Sequence, residues 1–304
     1  MRLLFCRAVK RAKIAIVGPG RLGMALAQAL AAAGYRLDEI VFRRSVLGKK
    51  TGHGSEQNAR KLARRYRTSA VELGQAQFAA DVVWLCVTDG SIASVTRSIS
   101  GQSPWKGKVV FHSSGALSSR ELLSLCKAGA FVASVHPMMS FVHHGAEATF
   151  EVPFALEGDA KALRVAKSIV RDLGGESLLI SKANKPLYHA FGAFLSPLII
   201  ANLALAERIG IKAGVPKDFV RQAIAPILAT TVFNYITLGA AGAFSGPIVR
   251  GDIETVRKNL AALKRIPDAQ AVYRALARSA LRTLPVGEKK GLDRLLAGKR
   301  KSSA

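Results

Sequence analysis

The sequence predicts an α/β fold: an N-terminal Rossmann domain with a doubly wound, mostly parallel sheet, followed by an all-α C-terminal domain. Three observations carry this. Short β-rich runs alternate with helical segments through the first half of the chain. A G-x-G-x-x-G run, Gly18-Pro19-Gly20-Arg21-Leu22-Gly23, stands between the first such strand and the first such helix. After Ser181 the strand signals fade and long helical patterns dominate. At 304 residues the chain is too long for one ordinary domain and suits two.

The elements follow in order. Lys13–Val17 reads as a strand, Arg21–Ala33 as an Ala- and Leu-rich helix, Glu39–Phe42 as a second strand and Glu56–Arg67 as a basic helix. Asp81–Val87 is a near-continuous apolar run of the kind buried in a parallel sheet. Lys108–Phe111 and Phe131–Val135 read as further strands. Phe154–Leu156, Ala160–Leu173 and Ser177–Ile180 add one more strand–helix–strand unit. Strands alternating with helices imply βαβ units and a sheet covered on both faces. Beyond Ser181 the helical patterns are Lys185–Gly210, Lys217–Leu238, Asp252–Leu263 and Ala269–Leu284. The expected organisation is an extension over 1–12, a Rossmann domain over 13–181, a helical domain over 182–285 and a basic tail over 286–304, polar and frayed.

The glycine run gains weight from its context, because it ends a strand and opens a helix. Gly18 permits the tight turn, Gly20 lets the backbone approach a pyrophosphate, and Gly23 lets helix and strand pack closely. With Pro19, Arg21 and Leu22, these residues form the candidate cradle, since a helix N-terminus offers unpaired N–H groups to phosphate. The end of the second strand separates NAD from NADP. An NAD site places a carboxylate there, but this strand ends in Arg43-Arg44-Ser45, and Asp38 and Glu39 come too early. Guanidinium groups bind a 2′-phosphate bidentately, so NADP(H) is the expected cofactor. Val87 and Thr88, at the next strand tip, complete the candidate cofactor residues.

In an open α/β sheet the ligand lies outside the carboxyl ends of the strands. One strand runs into Thr88-Asp89-Gly90, a second into His112-Ser113-Ser114-Gly115-Ala116 and a third into His136-Pro137-Met138-Met139-Ser140-Phe141. Hydroxyls and an imidazole at these tips suit the polar groups of a substrate.

Composition bounds the partners. The net charge is +25, with basic residues mostly dispersed; the densest clusters are Arg60-Lys61 with Arg64, Arg65 and Arg67, the chain start and Lys299-Arg300-Lys301. No nucleic-acid-binding signature accompanies them, so a solvated basic surface is the simpler reading and nucleic acid is not an expected partner. Such a field also draws in anionic substrates. Cys6, Cys86 and Cys126 are scattered with no C-x-x-C; they fit a reducing compartment, hence a cytoplasmic location, and read as small apolar fillers. The first thirteen residues lack the apolar core and cleavage site of a secretory signal. The longest apolar stretch, Phe191–Ala206, is short for a membrane span and reads as a buried helix. It is apolar nearly all round, which predicts a homodimer formed through the helical domain. No metal site is expected: His143 and His144 have no matching Cys or carboxylate spacing.

Four motifs, HSSGA at 112–116, SVHPMMSF at 134–141, KPLYHA at 185–190 and FSGPIVRGD at 244–252, resemble in content and order the family of Rossmann-like proteins with a DUF2520 domain. The resemblance covers about residues 13 to 284. It implies an NADP-dependent oxidoreductase similar to pyrroline-5-carboxylate reductase, 6-phosphogluconate-dehydrogenase-like enzymes and prephenate dehydrogenase. Similarity to prephenate dehydrogenase implies substrate contacts from Ser113 or Ser114 and from His136. Similarity to β-hydroxyacid dehydrogenases makes Lys185 the candidate acid or base, with Tyr188 and His189 a helical turn on. His189 stands where those enzymes carry Asn, which counts against a 3-hydroxyacid substrate. Asn234 and Arg250 are candidate substrate contacts, Arg250 for a carboxylate, although it is equally placed to pair with Asp252. Asp252 is placed to cap the next helix.

Two functions fit these residues. In the first, a hydride passes between nicotinamide and a C=O or C=N group of a small anionic substrate, with His136 or Lys185 carrying the proton. In the second, the protein is a non-catalytic NADP(H)-binding sensor or scaffold, which leaves His136, Lys185 and the serines without a role.

Overall fold

The computed structural model describes residues 11–44, 53–141 and 150–297. Ser45, His143, His144, Cys6 and most of the expected extension lie outside the described residues, as do the last seven residues of the tail. Two compact units divide at Ser196/Pro197.

The first unit is built on an eight-stranded sheet. Its strands are β1 (Lys13–Val17), β2 (Arg36–Phe42), β3 (Ser69–Glu72), β4 (Val82–Leu85), β5 (Val109–His112), β6 (Phe131–Pro137), β7 (Pro153–Gly158) and β8 (Glu176–Leu179), in the order β3-β2-β1-β4-β5-β6-β7-β8. The first six have the strand order of the doubly wound dinucleotide fold and are parallel throughout. The chain then reverses: β7 runs antiparallel to β6, and β8 runs parallel to β7. Strand β3 was not expected from the sequence. It is a four-residue strand, half exposed at the sheet edge, and so lacks a buried apolar run.

The helices of this unit are α1 (Arg21–Ala32), α2 (His53–Tyr66), α3 (Asp89–Ile99), α4 (Leu123–Lys127), α5 (Ala160–Asp172) and α6 (Lys185–Leu195). They cover both faces. Ile14, Ile16, Trp84 and Phe111 point to one core, with α1 and α5; Ala15, Val17, Val83, Leu85 and Val110 point to the other, with α3 and α4. This alternation within near-continuous apolar strands is the pattern of a sheet buried on both sides. Edge strand β8 is exposed along its whole length, Leu178 and Leu179 included.

The second unit is helical: α7 (Pro197–Lys212), α8 (Lys217–Ala243), α9 (Ile253–Leu263), α10 (Pro267–Thr283) and α11 (Lys289–Ala297). Val256, Leu260, Ala277, Leu281, Leu292 and Leu296 form its main core. The chain after Pro285 was expected to fray. Instead Leu292 and Leu296, one turn apart in α11, are buried, and the Arg274 guanidinium donates to the Leu295 and Leu296 carbonyls at the helix end. The expected single helix Lys185–Gly210 is broken at Ser196, before Pro197, whose ring cannot continue a helical hydrogen-bond ladder.

The expectation that Phe191–Ala206 is buried is corrected. Phe191, Phe194, Leu195, Leu198 and Ile200 are all exposed, because the described residues of their own units do not cover them. The stretches Lys182–Lys212 and Lys217–Ala243 are long and apolar enough to cross a membrane by length and composition. The first is broken at Ser196, and Lys185 near its start is hydrogen-bonded to Ser114, just past β5, and to Ser134 in β6.

Candidate functional site

The glycine cradle sits where β1 passes into α1. Gly18 has φ +90, a backbone conformation that favours glycine, and its N–H donates to the Val41 carbonyl at 2.9 Å. A Cβ on Gly18 would meet Val87 Cγ1 at 2.8 Å and the Cys86 carbonyl at 2.9 Å, so Val87 packs under the turn. A Cβ on Gly23 would run into the Gly18 carbonyl. Above Gly20, by contrast, a Cβ would meet nothing within 4 Å. Gly20 is the N-cap of α1 and no side chain caps the helix, so the N–H groups of its first turn face that open space. The Asn58 amide donates to the Pro19 carbonyl at 2.9 Å and steadies the loop from α2. Arg21 reaches across to the Phe141 carbonyl at 3.2 Å, and Leu22 packs against the core. These residues fit a dinucleotide pyrophosphate.

The ribose end is basic. Glu39 is buried and its carboxylate accepts from the Gln77 and Phe78 N–H groups, so it is unavailable at the strand tip. Arg43 and Arg44 are exposed just beyond β2. Arg44 lies 3.9 Å from Glu72, and Arg43 lines a cavity of about 200 Å³ with Leu73, Gly74, Ser94, Val95, Ser98 and Gln102. Thr88, exposed before α3, pairs its hydroxyl with that of Ser91 at 2.9 Å.

The tips of β5 and β6 meet α6 in one cluster. His136 Nδ1 lies 2.9 Å from the Tyr188 hydroxyl, and the two rings pack edge to face. A Cβ on Gly115 would meet His136 Nε2 at 2.8 Å and His189 Cδ2 at 2.9 Å, so both imidazoles rest against this glycine. Burial, then the charges of Lys185 and His189, push the His136 pKa down to about 4. Burial raises that of Tyr188 to about 12. Near neutral pH the pair is therefore an uncharged imidazole beside a protonated phenol.

A polar network underlies the cluster. Lys185 is fully buried, and its Nζ donates to the Ser114 carbonyl at 2.8 Å and the Ser134 hydroxyl at 2.6 Å. The Ser114 hydroxyl donates to Asp89 at 2.8 Å and accepts from the Ala116 and Leu117 N–H groups. The Ser114 N–H donates to His112 Nδ1, so Nε2 carries the ring proton and donates to the Ser118 carbonyl. Burial holds His112 neutral, with its pKa down to about 4. Buried Glu157 accepts from the Ser119 N–H and hydroxyl and lies 3.5 Å from Lys182 Nζ. Through the 3-10 turn Lys182–Asn184 and the first turn of α6, Lys182, Lys185 and Tyr188 thus meet Glu157, Ser134 and His136 in turn.

The structure brings together His136, Lys185, Ser114 and His189. It also corrects two expectations. Ser113 or Ser114 was expected to hold a substrate oxygen, but Ser114 is 5% exposed and its hydroxyl is already committed to Asp89 and two N–H groups. Lys185 was expected to face the crevice as an acid or base, but its ammonium is enclosed among protein acceptors. Ser113, half-buried, accepts from the Trp84 indole at 2.7 Å. Asn234, on α8, and Arg250, exposed before α9, belong to the second unit. Asp252 caps α9 by accepting from the Thr255 N–H at 3.0 Å; Arg250 acts on it only through space. Tyr188, Asp89, Ser134 and Asn58 complete the site. Of these, Tyr188, Asp89 and Ser134 stood in motifs or strand tips the sequence marked, whereas Asn58 was marked only as part of a basic helix.

Comparison with known proteins agrees with this architecture. Residues 7–137 match the Rossmann-like domain, and residues 152–280 match DUF2520, a domain of unknown function. The second match includes β7, α5, β8 and α6, which here pack with the first unit. No curated protein matches the chain. A Bacteroides fragilis protein described as a "putative NADP oxidoreductase" superposes with a TM-score of 0.70 at 21% identity, covering 89% of this chain and 98% of its own. A Thermotoga maritima protein gives 0.68 at 25% identity, covering 92% and 99%. A reductive aminase from Aspergillus terreus, solved with NADPH and ethyl-5-oxohexanoate, gives 0.62 at 17% identity, covering 93% and 99%. With both domains matched in order, the chain belongs to the proteins that join a Rossmann-like domain to a DUF2520 domain.

Proposed function

We propose that the protein binds NADP(H) in the glycine cradle and is an NADP(H)-dependent oxidoreductase acting on a C=O or C=N group of a small, carboxylate-bearing substrate. One observation carries the reading. A dinucleotide cradle, open above Gly20, and the His136–Tyr188 pair stand on the same sheet, at the carboxyl ends of parallel strands. Bound NADPH supplies a hydride. Arg43 and Arg44 meet its 2′-phosphate, and the Gly20–Leu22 backbone meets the pyrophosphate. The His136–Tyr188 pair holds a proton at the Tyr188 hydroxyl, and a proton is what a C=O or C=N group needs as its carbon gains hydride. The net charge of +25 favours an anionic substrate. The NADPH held by the reductive aminase of similar fold supports the cofactor assignment.

The reading includes a homodimer. Leu187, Phe191, Phe194 and Leu195 expose one face of α6, and Phe233, Ile236 and Leu238 expose α8. Apolar area on this scale marks an interface. A second copy of the chain, carrying the same faces, is its simplest cover.

The test is NADPH and NADH titration followed by NADPH oxidation against cyclic imines, 2-oxoacids and 3-oxoacids. Tight NADPH binding with turnover on one class supports the enzyme. Binding with no turnover on any class favours the sensor. No binding sinks both.

A further inference from the structure

A lysine inside a protein is costly, since burial disfavours its charged form. Lys185 is fully buried, with its Nζ on two neutral acceptors, the Ser114 carbonyl and the Ser134 hydroxyl. Glu157 and Asp89 act on it through space only, and no ion pair among the described residues includes it. The two acceptors would be satisfied without it in part, because the Ser134 hydroxyl itself lies 3.1 Å from the Ser114 carbonyl. A cation here therefore does more than fill hydrogen bonds. The Ser114 carbonyl immediately precedes Gly115, on which His136 and His189 rest.

We propose that Lys185 is a positioning residue and not a proton carrier: its enclosed ammonium clamps the Ser113–Leu117 turn, sets Gly115 beneath His136 and His189, and fixes the positive field in which His136 works. This rests on the oxidoreductase reading for its purpose, but its geometry stands apart from the cofactor. The groups acting on His136 are Lys185 and His189 from α6, Asp89 from α3 and His112 from β5, with Tyr188 at its Nδ1. Lys185 is the largest of these charges in effect.

The experiment is side-chain ¹⁵N NMR titration of the histidines in the full chain, free of cofactor, for the native protein and Lys185→Met. We expect the His136 midpoint to rise by on the order of one pH unit in the variant. Amide exchange at Ala116 and Leu117 should quicken by about tenfold or more as their turn loosens. The NADPH dissociation constant should change by less than about twofold, since Lys185 is outside the cradle. An unchanged His136 midpoint with unchanged exchange overturns the proposal. Failure of NADPH to bind the native protein sinks the oxidoreductase reading and leaves the His136 result legible. If Lys185→Met does not fold, reductive methylation of the native protein decides: Lys185 should resist modification while surface lysines react, and modification at their rate overturns the proposal.

Discussion

His136 Nδ1 stands 2.9 Å from the Tyr188 hydroxyl, joining a strand tip of the parallel sheet to the first turns of α6. Replacing Tyr188 by Phe keeps the ring packing and removes the O–H. Turnover on any substrate found should fall by about 10²–10⁴-fold, as for loss of a general acid, with NADPH affinity unchanged. His136→Asn should fall in the same range. Full activity in both variants would show that the proton travels elsewhere.

Cofactor choice is carried by the arginines after β2. Arg43→Ala with Arg44→Ala should weaken NADPH binding by about 10–100-fold, corresponding to charge-assisted hydrogen bonds of roughly 1.5–3 kcal/mol, while NADH binding changes little. Fluorescence titration reads both, and equal losses would refute the assignment.

Gly20 separates folding from binding. Its φ is −75 and a Cβ there meets nothing within 4 Å, so Gly20→Ala should keep the native melting temperature yet weaken NADPH binding at least tenfold by filling the space above the α1 N-terminus. Gly23→Ala drives a methyl against the Gly18 carbonyl and should lower stability itself. Calorimetry with and without NADPH distinguishes the two. Gly20→Ala binding as well as the native protein would move the cofactor off this loop.

Acid should destabilise the first unit early. His112 and His136 titrate near pH 4 when folded, against an unperturbed value of 6.5. The unfolded chain binds more protons between those limits. The stability they contribute is full above about pH 6.5 and is lost as pH falls toward 4, by on the order of 3 kcal/mol for each. Lys185, lowered to about 8 by burial, works in the alkaline range with the same sign: its cost is full below pH 8 and fades as pH rises toward 10.5. Urea midpoints measured from pH 4 to 7 should therefore rise with pH, and His112→Gln should flatten the slope. A flat native profile would contradict the burial of these rings.

The exposed faces of α6 and α8 predict a particle of about 65 kDa, twice the 32.4 kDa chain, in light scattering at micromolar concentration. Phe191→Asp with Phe194→Asp should lower the mass toward the monomer. A native monomer sinks the dimer.

Much of this was legible from residue order. The glycine run, the apolar strands and the shift to helices mark local backbone demands that only a few residue types meet. Strand β3 was hidden because an edge strand needs no apolar run. The break at Ser196 was hidden because the apolar pattern continues across Pro197, and α11 because three leucines among charged residues look like a tail until a core is there to receive them. At the site, His136 was visible as a residue standing where this fold places ligands, and Lys185 through the resemblance to β-hydroxyacid dehydrogenases. The enclosure of Lys185 and the commitment of Ser114 to Asp89 were not, because both depend on hydrogen bonds between positions 25 to 71 residues apart.

The ladder along α6 has a consequence for what length changes the chain can accept. Lys182, in the 3-10 turn Lys182–Asn184, and Lys185 and Tyr188, in the α6 helix that continues it, meet Glu157, Ser134 and His136 because turn and helix rise along the strands together. Each added residue turns a helix by about 100°. A single insertion or deletion between Ser181 and Lys185 would thus carry a different residue to each rung, placing Pro186 or Asn184 where the ammonium now lies. Relatives that keep this site should not vary in length in the three-residue run Lys182–Asn184 that launches α6.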